Sequence, residues 1–232
     1  MNNQMRLLIV FLLVFLGSFH VKVWSQDAET LIKNVKAKYD RVQDYIADGK
    51  MKTEVAFIKA PAGKVKIYYK KPDRFKLKRE SGISIMPKGG ISFNISSILA
   101  SGDYTAIASG ESVVQGKKLK IVKLLPNNDI GDVILTTLYI DEKELLIKKV
   151  NTSTRENGTF EMEMYYGKYA PFGLPDKVEF AFNTKDYKIP KGLTLEFETG
   201  DTPQQKANTK GKVEITYSSY IINKGFSDSE FK

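Results

Sequence analysis

The side chains whose spacing best suits chemistry are two carboxylates, Glu161 and Glu163, which lie two residues apart. The segment around them alternates apolar and polar residues, which is typical of a strand, so both carboxylates point to one face at a separation of about 6.5 to 7 Å. That separation is loosely compatible with the carboxylate pair of a glycosidase. We expect instead two solvent-facing charges on an outer sheet surface and predict no catalytic residue. The hydrolase alternative requires that Glu161→Gln abolish some turnover.

The residue types that most hydrolases and zinc sites need are almost absent. The chain contains no Cys, and its single His and single Trp are His20 and Trp24. If residues 1–25 form a removed targeting segment, the remaining chain lacks the ligands of a Cys/His zinc site, the His of a Ser-His-Asp triad and a Cys nucleophile. We therefore predict no metal, no cofactor and no enzymatic activity.

The first residues have the pattern of a secretory signal peptide. Arg6 precedes an apolar run at 7–19, which is shorter than the ~20 residues that a membrane-spanning helix needs. Small or β-branched residues then permit cleavage after Ser25. We predict a signal peptide at 1–25 and a single exported, periplasmic and monomeric domain at 26–232.

The exported domain is predicted to be mainly β. Apolar residues recur at helical spacing over 27–42, with Asp27 at the N-cap, and the period changes to two from Tyr45 onward. A turn is expected at 60–63 and a short second helix at 94–100. The expected strands are 45–59, 64–70, 74–80, 83–86, 104–113, 117–125, 132–140, 144–153, 158–166, 176–183, 193–198 and 211–218.

This order of elements predicts the fold class. A single antiparallel sheet with so many strands has to curl. We predict a mainly β (α+β) protein in which one strongly curved antiparallel sheet forms an incomplete β-barrel. The N-terminal helix and the short second helix are expected to cover its concave side.

One face of the predicted strands is broad, apolar and rich in Met and aromatic side chains. Such side chains adapt their shape and suit a surface that accepts a flexible apolar guest. The alternative is a solid core packed on the two helices. We expect two helices to be too small to cover the inner face of so wide a sheet. The predicted cavity residues are Tyr69, Phe75, Leu77, Phe160, Met162, Met164, Phe180 and Phe182.

The opposite face of the 64–79 hairpin is basic and carries one acid, Asp73. The whole chain has a net charge of +9. Because an exported protein rarely meets nucleic acid, we predict an anionic membrane surface as the counterpart and no nucleic-acid partner. A solvated strand face that discourages edge aggregation is the alternative. The basic residues are Lys64, Lys66, Lys70, Lys71, Arg74, Lys76, Lys78 and Arg79.

Two short motifs carry a family resemblance. Residues 68–75 read YYKKPDRF, and residues 220–226 read YIINKGF, followed by Phe231. In this order, after an N-terminal helix and a first long hairpin, they resemble the periplasmic outer-membrane lipoprotein carrier family (LolA-like). The likeness extends through the order of elements over most of 26–232.

The resemblance implies a half-barrel whose mouth is covered by helices and whose apolar interior receives the acyl chains of a lipoprotein. It also implies an inner-membrane release complex and an outer-membrane acceptor as partners. Lys71, before Pro72, occupies the position where the family has an Arg that helps to hold the lid closed. We predict a carrier of lipoproteins or of a related lipid. The alternative is a binding or sensor module of the same fold that recognises a lipid or protein partner without transport.

Overall fold

The computed structural model describes residues 22–55, 58–80, 99, 103–128, 132–156, 158–183 and 210–231. Over these ranges a helix opens the chain and strands follow it almost without interruption. In chain order the elements are α1 (Lys22–Tyr39), β1 (Asp44–Val55), β2 (Ile58–Lys70), β3 (Arg74–Arg79), β4 (Tyr104–Val114), β5 (Lys117–Pro126), β6 (Val133–Asp141), β7 (Leu146–Thr154), β8 (Thr159–Tyr165), the 3₁₀ helix Ala170–Phe172, β9 (Lys177–Asn183), β10 (Lys210–Ile222) and the 3₁₀ helix Asp228–Phe231.

The predicted amphipathic helix is present, but its bounds are shifted. Within the described residues it already includes Lys22, so Asp27 lies inside the helix and is not its N-cap as predicted; residues 22–26 contain neither Gly nor Pro. It ends at Tyr39, where the backbone tightens and the Val42 amide donates to the Tyr39 carbonyl. No helix in the described part of the chain is both long and apolar enough to cross a membrane.

All of the described strands belong to one antiparallel sheet in the order β3-β2-β1-β10-β9-β8-β7-β6-β5-β4. The strands from β4 to β10 follow one another as a meander, and β10 then pairs with β1. The first and last strands of the chain therefore lie side by side in the middle of the sheet. Among the described residues, β3 and β4 are its edges, so the described sheet is open.

The structure confirms the predicted fold class of an open, mainly β half-barrel with a helix packed on one side. Of the predicted second helix at 94–100, only Leu99 is described; it is helical and buried in the core. The other residues of that helix, and the predicted strands 83–86 and 193–198, lie outside the described residues.

The predicted turn at 60–63 is wrong, because β2 already begins at Ile58. The β1–β2 register shifts between Met51 and Thr53, and the stretch of β2 that contains Pro61 lies at this shift. In this stretch β3 does not flank β2, since their pairing starts at Val65. A proline lacks the amide that a central strand needs, but it is tolerated where only one neighbour is paired.

Candidate functional site

The predicted cavity residues all lie on the core side of the sheet, in two groups. The first group lies on the β2–β3 hairpin, where Tyr69 is opposite Phe75. The second lies on β8 and β9, with the central strands β1 and β10 between the two groups. Five of these side chains are at most 5% exposed, and the other three are half-buried and pack against the core. The buried ones are Tyr69, Met162, Met164, Phe180 and Phe182, and the half-buried ones are Phe75, Leu77 and Phe160.

The β8–β9 group forms a continuous apolar surface because the strand register places its members directly opposite one another. Phe160 faces Phe182, and Met162 faces Phe180. The Phe160 and Phe180 rings stack with centroids 5.7 Å apart, and the Phe180 and Phe182 rings lie 5.6 Å apart. We call this group the Phe/Met wall: Phe160, Met162, Met164, Phe180 and Phe182.

A glycine on the neighbouring strand makes room for one edge of this wall. Gly211 lies opposite Phe182 in the β9–β10 ladder. A Cβ atom at Gly211 would overlap the end of the Phe182 ring, so a larger residue there would require the ring to shift. A glycine inside a strand is a sequence signal for such a close approach, but it does not say which side chain approaches.

The other end of the core side is lined by tyrosines, which the sequence analysis largely missed. Ring centroids lie 5.1 Å apart for Tyr45 and Tyr69, 5.4 Å for Tyr45 and Tyr220, and 4.8 Å for Tyr169 and Tyr220. Tyr217 stacks on Tyr220 at 5.1 Å. We call these five residues the tyrosine cluster. Alternation in β1 signals that Tyr45 faces inward, but alternation alone would put Tyr217 and Tyr220 on opposite faces of β10. They share the core side because the register shifts between Asp48 and Gly49, where β1 pairs with β10.

Beside the tyrosine cluster, three hydrogen bonds close a ring between α1 and the sheet. The amide of Ile147 donates to the Tyr39 hydroxyl (3.3 Å), and the Tyr166 hydroxyl donates to the carbonyl of Ile147 (2.8 Å). The two hydroxyls are 2.9 Å apart, and since Tyr166 has used its proton, Tyr39 is the donor between them. This ring attaches the end of α1 to β7 and to the segment that follows β8.

The buried hydroxyls of Tyr39, Tyr45 and Tyr220 stay neutral at physiological pH. Burial raises the pKa of Tyr39 to about 12 and raises the pKa values of Tyr45 and Tyr220 well above their usual range. The Tyr69 hydroxyl is buried and has no hydrogen-bond partner within the described part of the chain. The tyrosine end of the core therefore presents polar hydroxyls, whereas the Phe/Met wall offers only apolar groups and thioethers.

The predicted lid residue Lys71 contacts the end of α1. Its ammonium lies 2.8 Å from a carboxylate oxygen of Asp40 and donates to the Asp40 carbonyl at 3.1 Å. The following peptide bond, to Pro72, is cis. Burial alone would raise the pKa of Asp40, but hydrogen bonds from Lys71 and Lys36 outweigh it and hold the pKa below its usual value. The β2–β3 turn thus binds α1 through a partly exposed ion pair.

We expect Lys71→Ala to loosen the end of α1. Partly exposed ion pairs contribute about 0.5 to 1 kcal/mol to stability, so the loss in unfolding free energy should be of that size. The sharper measurement is amide hydrogen exchange, which should become faster in the last turn of α1. Lys71→Arg keeps the charge and serves as the control. Unchanged exchange in Lys71→Ala would show that this contact does not hold the helix.

Glu161 and Glu163 lie on the outer face of the sheet, where the sequence predicts them. The ammonium of Lys149 lies 2.9 Å from Glu161 and 3.2 Å from Glu163. Burial alone would lower the pKa of Lys149, but its hydrogen bonds to these two carboxylates raise it. One cation therefore bridges the two carboxylates and offsets part of their charge. The described residues contain no group of three His, Cys, Asp or Glu side chains placed to bind a metal ion.

The basic face of the hairpin is smaller than predicted. Lys71 lies in the turn against Asp40, and Arg79 is opposite the buried Val65, on the other side of the pleat. The six remaining basic residues alternate on the outer face: Lys64, Lys66, Lys70, Arg74, Lys76 and Lys78. Three of these six are paired with acids of the 225–231 segment, and Lys66 lies 3.6 Å from Asp48.

The fold is similar to that of several solved structures. A putative outer membrane lipoprotein-sorting protein domain from Vibrio parahaemolyticus matches with a TM-score of 0.58 at 10% identity, over 89% of this chain and 97% of that chain. A DUF1329 family protein from Desulfovibrio piger matches at 0.55 with 12% identity, over 90% and 97%. A LolA superfamily protein from Nitrosomonas europaea matches at 0.55 with 8% identity, over 88% and 97%.

These similarities show that the chain has the LolA-like fold, which the resemblance of residues 68–75 and 220–226 predicted. At such identities the similarity concerns the fold. No protein-family model matches the chain, and no curated protein matches its sequence.

Proposed function

We propose that this protein is an exported, soluble carrier that binds the acyl chains of lipoproteins, or of a related lipid, in its apolar interior and delivers them toward the outer membrane. The observation that carries the proposal is the Phe/Met wall, a set of five adjacent apolar side chains on the core side of an open sheet. The similarity in fold to a lipoprotein-sorting domain supports it.

The energetics of an acyl chain in water explain why a carrier is needed. Each buried methylene is worth about 0.8 kcal/mol, so a chain of ~15 methylenes would lose about 12 kcal/mol of favourable burial on leaving a membrane for water. A protein that moves such a lipid has to replace most of that burial with its own apolar surface. The Phe/Met wall supplies surface of that kind.

A carrier also has to release its cargo. Met162 and Met164 have flexible, polarisable side chains that can repack when a guest enters or leaves. The contact of Lys71 with Asp40 is partly exposed and therefore weak enough to open and close. This contact is one of several that hold α1, together with the hydrogen bonds of Tyr39, and its loss would shift the position of the helix end by a small free energy.

The proposal places the protein in the periplasm, with residues 1–25 as its signal peptide and residues 26–232 as one monomeric domain. Its partners would be an inner-membrane release complex and an outer-membrane acceptor. No catalytic step and no cofactor are needed for this function. Contact of the basic hairpin with an anionic membrane stays a prediction.

Native mass spectrometry of the protein purified from its own host tests the proposal. We expect a bound species with the mass of an acylated molecule, released by collisional activation, because the interior should not be empty in a cell rich in lipid. The control is the Met162→Glu variant prepared in parallel, which should carry little or none. Clean apo protein under gentle conditions would contradict the carrier function and favour the binding or sensor module.

A further inference from the structure

The outer face of the β2–β3 hairpin is covered by residues 225–231 of the same chain. Asp228 accepts a hydrogen bond from Lys70 (2.7 Å) and pairs with Arg74 at 2.7 Å. Glu230 accepts a hydrogen bond from Lys78 at 2.6 Å. Two carboxylates of one short segment thus contact three of the six basic side chains on this face.

Aromatic rings complete the contact. Phe226 meets the edge of Tyr68 at 5.6 Å and lies 5.6 Å from Phe231. The guanidinium of Arg74 lies 4.3 Å from the centre of the Phe231 ring, a cation–π distance. Tyr68 is only 7% exposed, although it belongs to the outer face of the hairpin. The outer face of the hairpin therefore contacts both carboxylates and aromatic rings of residues 225–231.

A turn at residues 223–225 directs the segment onto the hairpin. Asn223 and Gly225 both have positive φ angles, of 54° and 69°. The side chain of Asn223 accepts a hydrogen bond from the Gln43 amide and donates to the Arg41 carbonyl, while Asp44 accepts from the Gly225 amide. The segment is thus attached beside the hairpin, which gives it a high effective concentration there.

The contact itself is well suited to exchange. The ion pairs of Asp228 with Lys70 and Arg74 involve side chains that are more than a third exposed. Ion pairs of this exposure are weak and are screened by salt. The hydrogen bonds from Lys70 and Arg74 hold the pKa of Asp228 below its usual value, so the segment stays charged at neutral pH. A free peptide of the same chemistry would meet the same donors and rings.

We propose that the outer face of the β2–β3 hairpin is a recognition site for an acidic, aromatic peptide segment of a partner protein, and that residues 225–231 occupy it until the partner displaces them. The partner segment presents two carboxylates, spaced to reach Lys70/Arg74 and Lys78, flanked by aromatic rings that pack on Tyr68 and under Arg74. A membrane surface would offer negative charge but not these rings. The site lies on the side of the sheet opposite the Phe/Met wall, so the proposal does not depend on lipid binding.

The test uses the full chain with Asp228→Asn and Glu230→Gln, which should release the segment without adding charge to it. The probe is a fluorescein-labelled synthetic peptide with the sequence of residues 224–232, followed by fluorescence anisotropy. We expect the double variant to bind this peptide at least about tenfold more tightly than the unaltered chain, because the unaltered chain carries its own competitor. Binding should weaken between low and ~0.5 M salt.

Two controls identify the site and its chemistry. A peptide with Asn and Gln at the two acidic positions should not bind, and adding Arg74→Glu to the double variant should abolish binding of the native peptide. Equal affinity of the unaltered chain and the double variant would overturn the proposal, as would the absence of binding to both. Binding of the double variant to phosphatidylglycerol vesicles without binding to the peptide would overturn it in favour of a membrane.

Discussion

Phe180→Glu is expected to weaken lipid binding strongly while the protein remains folded. Phe180 is 2% exposed and lies at the centre of the Phe/Met wall, in contact with the rings of Phe160 and Phe182. A carboxylate buried in a solid core costs several kcal/mol and would unfold the domain. If the interior admits a guest, the new carboxylate can keep its hydration there in the absence of lipid, and an acyl chain that enters has to displace that water.

The measurement is the affinity for a dansyl-labelled fatty acid, with circular dichroism and thermal denaturation as checks on the fold. We expect a loss of affinity of at least about tenfold, which corresponds to about 1.4 kcal/mol. Met162→Glu, on the opposing strand position, should behave in the same way. The matched control is Ala181→Glu, which places the same charge on the outer face of β9 and should leave affinity unchanged.

The possible results separate a hollow interior from a solid one. Loss of binding in a folded Phe180→Glu variant, with normal binding in Ala181→Glu, supports a guest site at the Phe/Met wall. Unfolding of both Phe180→Glu and Met162→Glu would show that the wall is a packed core, and the carrier proposal would fail. Undiminished binding in a folded Phe180→Glu variant would place the lipid elsewhere.

Local alternation was enough to predict most of the described strands and the direction of their side chains. In residues 160–166 and 176–183 the apolar residues recur with period two, and the structure places them on the core side as expected. The same rule holds for Tyr69 and Leu77 on the first hairpin. Alternation works here because one face of each strand is buried, so a shift by one residue would expose the whole apolar set.

Element boundaries depended on contacts that local patterns do not contain. Asp27 is a good N-cap residue, but nothing in residues 22–26 prevents the helix from continuing through it. Pro61 is a good turn residue, but it lies in a stretch of β2 that β3 does not flank, so a strand tolerates it. In both places the residue has a genuine preference for a helix N-cap or a turn, but the surrounding tertiary contacts allow it to adopt another conformation.

The largest omissions involve residues far apart in the chain. The tyrosine cluster forms only because β10 pairs with β1, which brings Tyr217 and Tyr220 beside Tyr45. The basic hairpin was predicted to meet an external anion, yet Asp228 and Glu230 of the same chain contact it. The sequence shows that the hairpin surface is basic, but it does not show that acids of another part of the chain pair with some of its basic residues.

The tyrosines allow a second decisive comparison, between Tyr39→Phe and Tyr69→Phe. Both hydroxyls are buried, but that of Tyr39 is hydrogen-bonded to Ile147 and Tyr166, whereas that of Tyr69 has no partner in the described part of the chain. We expect Tyr39→Phe to lower the free energy of unfolding by about 1 to 3 kcal/mol, because it leaves the buried amide of Ile147 without an acceptor. Tyr69→Phe should leave it unchanged or raise it by up to about 1 kcal/mol.

Urea denaturation of the lipid-free variants gives the change in unfolding free energy for each substitution. The two changes can be compared directly, because each substitution removes a single oxygen atom and leaves the ring in place. If Tyr69→Phe costs as much as Tyr39→Phe, its hydroxyl has a partner inside the core, and a buried water would be the simplest one. If Tyr39→Phe costs nothing, the hydrogen-bonded ring does not hold α1 on the sheet. The helix would then be held by its apolar face, the Lys71 contact and the hydrogen bond from Lys38 to the Glu144 carbonyl.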